Sequence, residues 1–336
     1  MTAPIRQQSC NNADTICLGD RAMNSRTKEI AFAVCLGLVL PSLIFRFGNQ
    51  KSTTLQSAPE EEKKEQMTIS VQTEDGNTIQ IPLETYVTRV VLGEMPARFE
   101  EEALKAQAVV ARTYALKLQS SGDRAHSASV CTDSNCCQAY CTEQTYLSYA
   151  GTEADLNKIR SAVEATAGQV LIYNGELAEA TYFSCSGGRT EDAIAVWGSE
   201  VPYLQSVDSP GEENAENYIK TVSFTRAEFA EKMGLSEELL NGSWIGAITY
   251  TRGGGVDTIT FCGKTFRGTT VRKNLGLRST AFVVTAVGNT ITLTTKGSGH
   301  RVGMSQYGAD AMARTGKNYN QILQYYYCGT QLQTLV

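Results

Sequence analysis

The chain has 336 residues, of which 42% are hydrophobic, 19% charged and 8% aromatic, and its formal net charge is -5 at pH 7. These values are typical of a folded domain. They exclude a disordered chain, a collagen-like chain, a multi-span membrane protein and a strongly basic nucleic-acid-binding protein. Two features stand out, namely ten cysteines against two histidines, and an apolar run near the N-terminus.

The apolar run covers residues 30–45, IAFAVCLGLVLPSLIF, and extends to Phe47 if the Arg46 side chain reaches the membrane surface. A membrane-spanning helix needs about 17–25 apolar residues, so this run is at the short end. A cleavable signal peptide is disfavoured, because about thirty residues precede the run and no small-x-small cleavage site follows at once. A buried core helix is the other alternative. We predict a single transmembrane anchor over residues 30–47.

Charged residues on the two sides of the run predict its orientation. Four basic residues precede it and two follow closely, so residues 1–29 are predicted to be a cytoplasmic tail and the rest to be exported. The protein would then be a single-pass protein of the cell membrane. Residues 1–47 hold five of the 30 Lys and Arg residues and three of the 35 Asp and Glu residues, which leaves 25 against 32. Such an acidic exported part is a poor match for nucleic acid.

The exported part divides into a linker and one domain. Residues 48–66 are polar, carry a charge cluster and have no hydrophobic period, which is typical of a linker. Residues 67–336 are predicted to form an extracytoplasmic domain. It begins with alternating apolar and polar residues around Asp75-Gly76-Asn77, which predicts a β hairpin over residues 67–82.

Further helices and hairpins are predicted along the domain. The predicted helices cover residues 83–91, 100–118, 157–167, 224–233, 304–314 and 319–327. The predicted hairpins pair residues 169–173 with 178–183, 247–252 with 256–261, and 282–287 with 290–295. No internal repeat is apparent. These elements predict an α+β fold in which a helical region is combined with antiparallel β hairpins.

Glu94 is a candidate general acid. It stands between two predicted helices, before Met95-Pro96, and proline holds the chain there in one geometry. Apolar neighbours would desolvate the carboxyl and raise its pKa, as a general acid near neutral pH requires. Lys105 and Arg112 lie seven residues apart on the next helix and could pair with Glu94 or bind polar substrate groups. From spacing alone, a surface glutamate and two solvated bases remain the ordinary interpretation.

A cysteine-rich loop follows the second helix. His126, Cys131, Cys136, Cys137 and Cys141 fall within sixteen residues, and thiolates with an imidazole at short spacing suit a tetrahedral zinc ion. The adjacent Cys136 and Cys137 cannot easily bridge to one another, but each could form a disulfide elsewhere. A catalytic thiol is disfavoured, because no motif places a base beside one.

Several ordered motifs carry a family resemblance that covers residues 67–328. The segment at residues 83–118, LETYVTRVVLGEMPARFEEEALKAQAVVARTYALKL, closely resembles the opening of the stage II sporulation protein D family. YFSCSGGRT at residues 182–190 is similar to the family's Ser-x-x-Gly-Gly-x-Thr segment. GHRVGMSQYGA at residues 299–309 is similar to another family motif, with Arg301 in place of a glycine.

The resemblance implies a lytic transglycosylase. It would cleave peptidoglycan glycan strands that lack stem peptides, form 1,6-anhydro-N-acetylmuramic acid ends, and act in engulfment during endospore formation. Carried over, Glu94 is the catalytic acid and base of a helical catalytic region. A sporulation peptidoglycan amidase that supplies the denuded strands is the implied partner. A non-catalytic, glycan-binding amidase enhancer is the main alternative, and a hydrolase that leaves reducing ends is a third.

The resemblance also indicates substrate-binding residues. Lys105 and Arg112 match positions that the family uses near its active site, where they could orient the glycan or stabilise developing charge. Ser184, Gln306 and His300 are candidates for lining the groove. A structural, hydrogen-bonding histidine is an equal interpretation for His300.

Some members of this family bind zinc in the cysteine loop, with a His, then a Cys, then His-Cys-Gln. Cys131 and Cys137 match this pattern, Cys136 stands where the second histidine would be, and His126 could supply the first. We therefore predict a zinc ion held by His126, Cys131, Cys136 and Cys137, with Cys141 as a substitute ligand. Four protein ligands close the site, which indicates a structural ion.

Overall fold

A computed structural model describes residues 66–121, 127–149, 151–216 and 218–335. The predicted cytoplasmic tail, the anchor at residues 30–47 and nearly all of the linker lie outside these residues, as does His126. Within the described residues, no helix has the length and apolar character needed to cross a membrane. The anchor therefore stays a prediction.

The described residues form a mixed α and β structure with mainly antiparallel sheets, which confirms the predicted α+β class. The helices are α1 (Leu83–Glu94), α2 (Glu101–Ser121), α3 (Glu143–Tyr149), α4 (Glu153–Glu164), α5 (Ala193–Trp197), α6 (Arg226–Met233), α7 (Gly268–Leu275), α8 (Gln306–Arg314) and α9 (Tyr319–Tyr326). The strands are β1 (Thr68–Gln72), β2 (Thr78–Pro82), β3 (Val130–Cys131), β4 (Gln169–Tyr173), β5 (Glu176–Leu177), β6 (Tyr182–Phe183), β7 (Ile219–Thr225), β8 (Ile245–Tyr250), β9 (Val256–Phe261), β10 (Lys264–Arg267), β11 (Phe282–Val287), β12 (Thr290–Lys296), β13 (Met304–Ser305) and β14 (Gln331–Thr334).

Two hydrophobic cores divide these elements. One core lies in the helical lobe, residues 67–216 and 297–335, which contains the sheets β2-β1-β3, β14-β4-β5 and β13-β6. The other lies in the repeat lobe, residues 219–296, between the sheets β10-β9-β8 and β11-β12-β7 and the helices α6 and α7. The repeat lobe is thus an insertion between β6 and β13, which pair with one another in parallel.

Two helices and the turn between them place Glu94. α1 begins directly after Pro82 and ends at Glu94, because Met95 is extended and Pro96 follows. α2 lies at the centre of the helical lobe, where α1, α4, α8, α9 and β4 pack against it. Of its 21 residues, 14 are buried, and five of these are alanines that allow close approach. The end of α1 therefore rests on a densely packed scaffold.

The repeat lobe is built from two copies of one strand–helix–hairpin unit. The first copy is β7–α6–β8–β9 and the second is β10–α7–β11–β12. The first strand of each copy pairs with the last strand of the other, so that Phe224 lies opposite Ile291 and Phe266 opposite Ile259. The two copies therefore exchange their first strands and are related by an approximate twofold axis.

The two copies also match in sequence. Gly234 after α6 and Gly276 after α7 both have φ of 62°, a left-handed conformation that favours glycine, and a leucine follows each. Residues 257–261 (DTITF) match residues 289–293 (NTITL). The expectation of no internal repeat was wrong. The copies have few identical residues, and they are similar mainly in the type of residue at their buried positions, which makes the repeat hard to see in the sequence.

Other predicted elements need smaller corrections. The hairpins over residues 67–82, 247–261 and 282–295 are confirmed. The predicted hairpin at residues 169–183 is only partly formed, since β4 pairs with the short β5 and with β14, whereas β6 pairs with β13. The apolar character of residues 178–183 reflects burial in the core of the helical lobe beside β13, which local pattern cannot distinguish from a hairpin arm. The elements α3, α5, α7, β3, β7, β10, β13 and β14 were not predicted.

Candidate functional site

Glu94 ends α1 where a loop from the cysteine-rich segment passes over the helix. A Cβ atom on Gly93 would lie 2.9 Å from the carbonyl carbon of Ala139 and from the amide nitrogen of Tyr140. Such a distance is not tolerated, so glycine is required for this close approach. The absence of a side chain at Gly93 therefore lets the loop reach the Glu94 carboxyl.

Three donors converge on the half-buried Glu94 carboxyl. Its Oε1 accepts hydrogen bonds from the Ala139 amide at 2.8 Å and from the Tyr182 hydroxyl at 3.2 Å, and its Oε2 accepts one from Gln306 Nε2 at 3.1 Å. Desolvation raises the pKa of Glu94, while the three hydrogen bonds act in the opposite direction without cancelling the rise. A carboxyl in this state keeps its proton to a higher pH than a free glutamate does, and it is still stabilised once it ionises.

A chain of buried hydrogen bonds continues from the carboxyl. The Tyr182 hydroxyl lies 2.8 Å from Gln138 Oε1, and Gln138 Nε2 donates to the Tyr86 hydroxyl at 3.0 Å. Desolvation raises the pKa of Tyr182 and of Tyr86 well above the usual range, so both phenols keep their protons. The Tyr182 hydroxyl has one proton and two acceptors, Glu94 and Gln138.

Gln306 is the predicted groove residue that contacts Glu94 directly. Ser184 follows Tyr182 by two residues in the chain. Its carbonyl accepts a hydrogen bond from the Tyr307 amide at 3.0 Å, which fixes the start of α8 beside β6. His300 packs between Phe183 and Trp197, its Nδ1 accepts the Val302 amide, and burial lowers its pKa to about 3. His300 is therefore neutral. Its hydrogen bond with Val302 fits one of its two interpretations, that of a structural, hydrogen-bonding histidine.

The predicted bases on α2 are held within the helical lobe. Lys105 forms ion pairs at 2.8 Å with Glu101 and with Glu102. The Arg112 side chain is fully buried, donates to both carboxylate oxygens of Glu84, and also donates to the Gln169 carbonyl. Within the described part of the chain, neither base forms a hydrogen bond or ion pair with Glu94. In this conformation Arg112 joins α1, α2 and β4.

The cysteine loop brings three predicted metal ligands together. The Sγ atoms of Cys131, Cys136 and Cys137 all lie within 4.8 Å of one another, and those of Cys136 and Cys137 are 3.9 Å apart. A tetrahedral zinc with Zn–S bonds of about 2.3 Å requires S–S separations of about 3.8 Å, so the three sulfurs fit such an ion. Cys141 is buried but lies outside this group. His126, the fourth predicted ligand, is outside the described residues.

Sequence inspection did not single out Tyr182, Gln138 or Tyr86. Gln138 follows Cys137 in the metal motif, which is the one signal that could have indicated it. Tyr182 is 88 residues from Glu94 and appeared as an ordinary strand residue. Their role depends on the fold bringing β6 and the cysteine loop to the end of α1.

Comparison with known proteins places this α+β domain among the proteins of sporulation. The family model described as stage II sporulation protein matches residues 72–173. Stage II sporulation protein D of Bacillus subtilis (strain 168) is 46% identical, and that of Bacillus amyloliquefaciens 42% identical, each over 75% of this chain and 74% of the relative. An amidase enhancer of Bacillus subtilis (strain 168) is 30% identical over 72% of this chain and 39% of that protein. The chain belongs to the stage II sporulation protein D family.

Proposed function

We propose that this protein is a lytic transglycosylase that cleaves peptidoglycan glycan strands lacking stem peptides. It acts in engulfment during endospore formation, is anchored in the cell membrane by residues 30–47, and carries residues 67–336 outside the cytoplasm. The observation that supports this proposal most is the single half-buried Glu94, whose pKa is raised while three donors surround its oxygens.

One carboxyl is sufficient for this reaction. Protonated Glu94 donates its proton to the glycosidic oxygen as the bond from C1 of N-acetylmuramic acid breaks. The resulting carboxylate accepts the proton of the C6 hydroxyl of the same sugar, whose oxygen bonds to C1 and forms the 1,6-anhydro ring. No water is activated, so the second carboxylate that hydrolysing glycosidases use is not required. The Ala139 amide and the Gln306 side chain stabilise the carboxylate between the two proton transfers.

Tyr182 responds to the charge on Glu94. When Glu94 is protonated, the Tyr182 hydroxyl donates to Gln138, which is the nearer acceptor at 2.8 Å. When Glu94 has lost its proton, a charged acceptor is preferred, and the hydroxyl rotates its proton to Glu94 Oε1. Tyr182 therefore adds a third donor to the carboxylate only in the half of the cycle that needs it.

The cysteine cluster supports the site through the loop that it holds. Cys131, Cys136 and Cys137, with His126 as the fourth ligand, would bind a structural zinc, which supplies a cross-link when it is bound. The same loop provides the Ala139 amide and Gln138 to the Glu94 network. Metal analysis of the purified protein is expected to give one zinc per chain. Absence of stoichiometric zinc together with a Cys131–Cys137 disulfide would refute this site.

Substitution of Glu94→Gln tests the reaction. The purified variant is expected to release anhydro-muramyl products from denuded glycan at least a thousandfold more slowly than the wild type, because amide nitrogen cannot give and retake the proton. Mass spectrometry of the products is the measurement. The raised pKa means that ionised Glu94 costs stability above its unfolded pKa, so at pH 8 the melting temperature of the variant should equal or exceed that of the wild type.

The product spectrum also separates the alternatives. Anhydro ends from the wild type and none from Glu94→Gln support the lytic transglycosylase. Reducing ends indicate a hydrolase. No product from the wild type, together with a higher rate of a peptidoglycan amidase in its presence, indicates the glycan-binding amidase enhancer, which the 30% identical relative makes the main alternative.

A further inference from the structure

The proposed substrate carries a charge that the intact polymer lacks. Removal of a stem peptide from N-acetylmuramic acid hydrolyses the amide on its lactyl group and leaves a lactyl carboxylate. A denuded strand therefore has a carboxylate on every muramyl residue, and a site that prefers such strands needs a cation that can reach it. The predicted exported part has more acidic than basic residues, so this cation has to be a local one.

Among the described basic residues around Glu94, Arg98 is the available one. Lys105 is held by two glutamates, Arg112 is fully buried, and Arg89 binds Glu143 at 2.9 Å. Lys158 donates to the carbonyls of Ala97 and Phe99 at 2.8 and 2.6 Å. The Arg98 side chain is 57% exposed. It forms an ion pair at 3.0 Å with Glu216, whose side chain is 74% exposed. Exposed pairs of this kind are weak, so a substrate carboxylate can displace the glutamate.

Arg98 also lies close to the candidate acid along the chain. It follows Glu94 by four residues in the turn between α1 and α2, and its guanidinium lies 5.8 Å from the centre of the Phe99 ring. The rings of Phe99 and Tyr307 pack edge to face, with their centres 4.9 Å apart. Tyr307 is adjacent to Gln306, which hydrogen bonds Glu94. Arg98, Phe99 and Tyr307 therefore form a row of contacts from the turn after Glu94 to the first turn of α8, the helix that carries Gln306.

We propose that Arg98 binds the lactyl carboxylate of a muramyl residue next to the cleaved bond and thereby selects strands that lack stem peptides. The substrate carboxylate replaces Glu216 as the partner of the guanidinium, which can donate two parallel hydrogen bonds to it. A stem peptide on the same sugar converts this carboxylate to an amide and removes the charge. This inference rests on the proposed function, because it names how that site chooses its substrate.

Two forms of the same glycan test the proposal. One is the denuded strand with free lactyl carboxylates, and the other is that strand after its carboxylates have been coupled to methylamine. Arg98→Gln is expected to raise KM for the carboxylate strand about tenfold with little change in kcat, since a charge-assisted contact is lost outside the reacting bond. On the amidated strand the variant and the wild type should have the same KM. Glu216→Gln should lower KM for the carboxylate strand, because it removes the competing partner.

Arg252→Gln is the matched control. The Arg252 side chain is 59% exposed, lies in the repeat lobe and faces Asp192 at 3.8 Å, so its loss should change KM for neither strand. An Arg98→Gln effect that is equal on the two strands, or no effect on the carboxylate strand, would overturn the proposal.

A binding measurement separates this proposal from the reaction assigned to Glu94. Calorimetric titration of Glu94→Gln should show at least tenfold tighter binding of the carboxylate strand than of the amidated strand, and Glu94→Gln/Arg98→Gln should lose this preference. If the wild type releases no anhydro product, the proposed function fails, while the two Kd values still decide whether Arg98 reads the carboxylate. A preference that survives in the double variant contradicts the role of Arg98.

Discussion

The helical lobe and the repeat lobe bury different kinds of residue. The helical lobe encloses polar groups that only the tertiary fold pairs, such as Glu94 with Tyr182, and Arg112 with Glu84. The core of the repeat lobe is apolar and rich in aromatic rings, with Phe261 in contact with three others. Burying a polar group costs free energy unless it is paired. The helical lobe therefore depends on tertiary pairing of its buried polar groups, whereas the core of the repeat lobe depends on apolar packing.

The two copies within the repeat lobe differ where one of them meets the helical lobe. The hairpin turn of the first copy, residues 251–255, surrounds the Glu191 carboxyl, and a Cβ on Gly253 or Gly255 would lie 2.4 Å from its oxygens. The corresponding turn of the second copy, at Gly288, has no such joint, and the neighbouring Val287 is 80% exposed. Gly253 and Gly255 thus allow the contact between the lobes, while Gly254 between them has φ of 78° and a Cβ there would have no neighbour within 4 Å.

Arg301 adds a buried ion pair and several hydrogen bonds to this joint between the lobes. This buried arginine has φ of 68° and pairs with Glu191 at 3.1 Å. Its guanidinium also donates to the carbonyls of Ser186, Arg189 and Gly253, each at 2.7 Å.

The largest expected effect is therefore at this joint. Arg301→Met should lower the free energy of unfolding by about 3–5 kcal/mol, because Glu191 is left buried without its charged partner. Urea denaturation of the purified protein measures it. Adding Glu191→Gln should recover part of the loss, since the unpaired charge is removed. Arg252→Met, on the exposed side of the same region, should change stability by less than about 0.5 kcal/mol. A loss under 1 kcal/mol for Arg301→Met would show that the pair does not hold the lobes together.

Local patterns predicted the parts of the fold that local physics determines. α1, α2 and three of the hairpins have clear apolar periods and are bounded by proline, glycine or Asp-Gly turns. The site depended on distant contacts instead. The sequence singled out Glu94 and the cysteine cluster, whose roles stay predictions. It did not indicate the burial of Arg112, because a lone charged residue on a helix has the appearance of a solvated one.

A middle-sized effect is expected at Tyr182. Tyr182→Phe removes a donor that stabilises ionised Glu94, so the pKa of Glu94 should rise above its value in the wild type. The proposed reaction begins with protonated Glu94, so the alkaline limit of activity should move to higher pH. The maximal rate should fall about tenfold, or about 1.4 kcal/mol, because the carboxylate formed during the reaction loses a hydrogen bond.

The pH profile of glycan cleavage measures both effects. Tyr250→Phe, an exposed tyrosine of the repeat lobe, is the control and should leave the profile unchanged. An unchanged alkaline limit for Tyr182→Phe would show that its hydroxyl stays on Gln138 throughout the cycle.

The smallest effects are expected on the outer faces of the repeat lobe. Ser223 and Thr292 pair across strands at 3.0 Å, and their counterparts in the other copy, Thr265 and Thr260, pair at the same distance. Water can replace either hydroxyl, and valine suits a strand as well as threonine does. Thr292→Val and Thr260→Val should therefore each change the free energy of unfolding by less than about 0.5 kcal/mol.

Urea denaturation of these two variants compares the copies directly. Equal, small changes mean that both hydroxyl faces are simply solvated, as expected for a lobe whose contribution comes from its apolar core. A loss above 1 kcal/mol for one variant and not for the other would contradict the twofold equivalence of the copies. It would also show that a polar contact stabilises the repeat lobe, whereas the comparison of the two lobes assigns its stability to the apolar core alone.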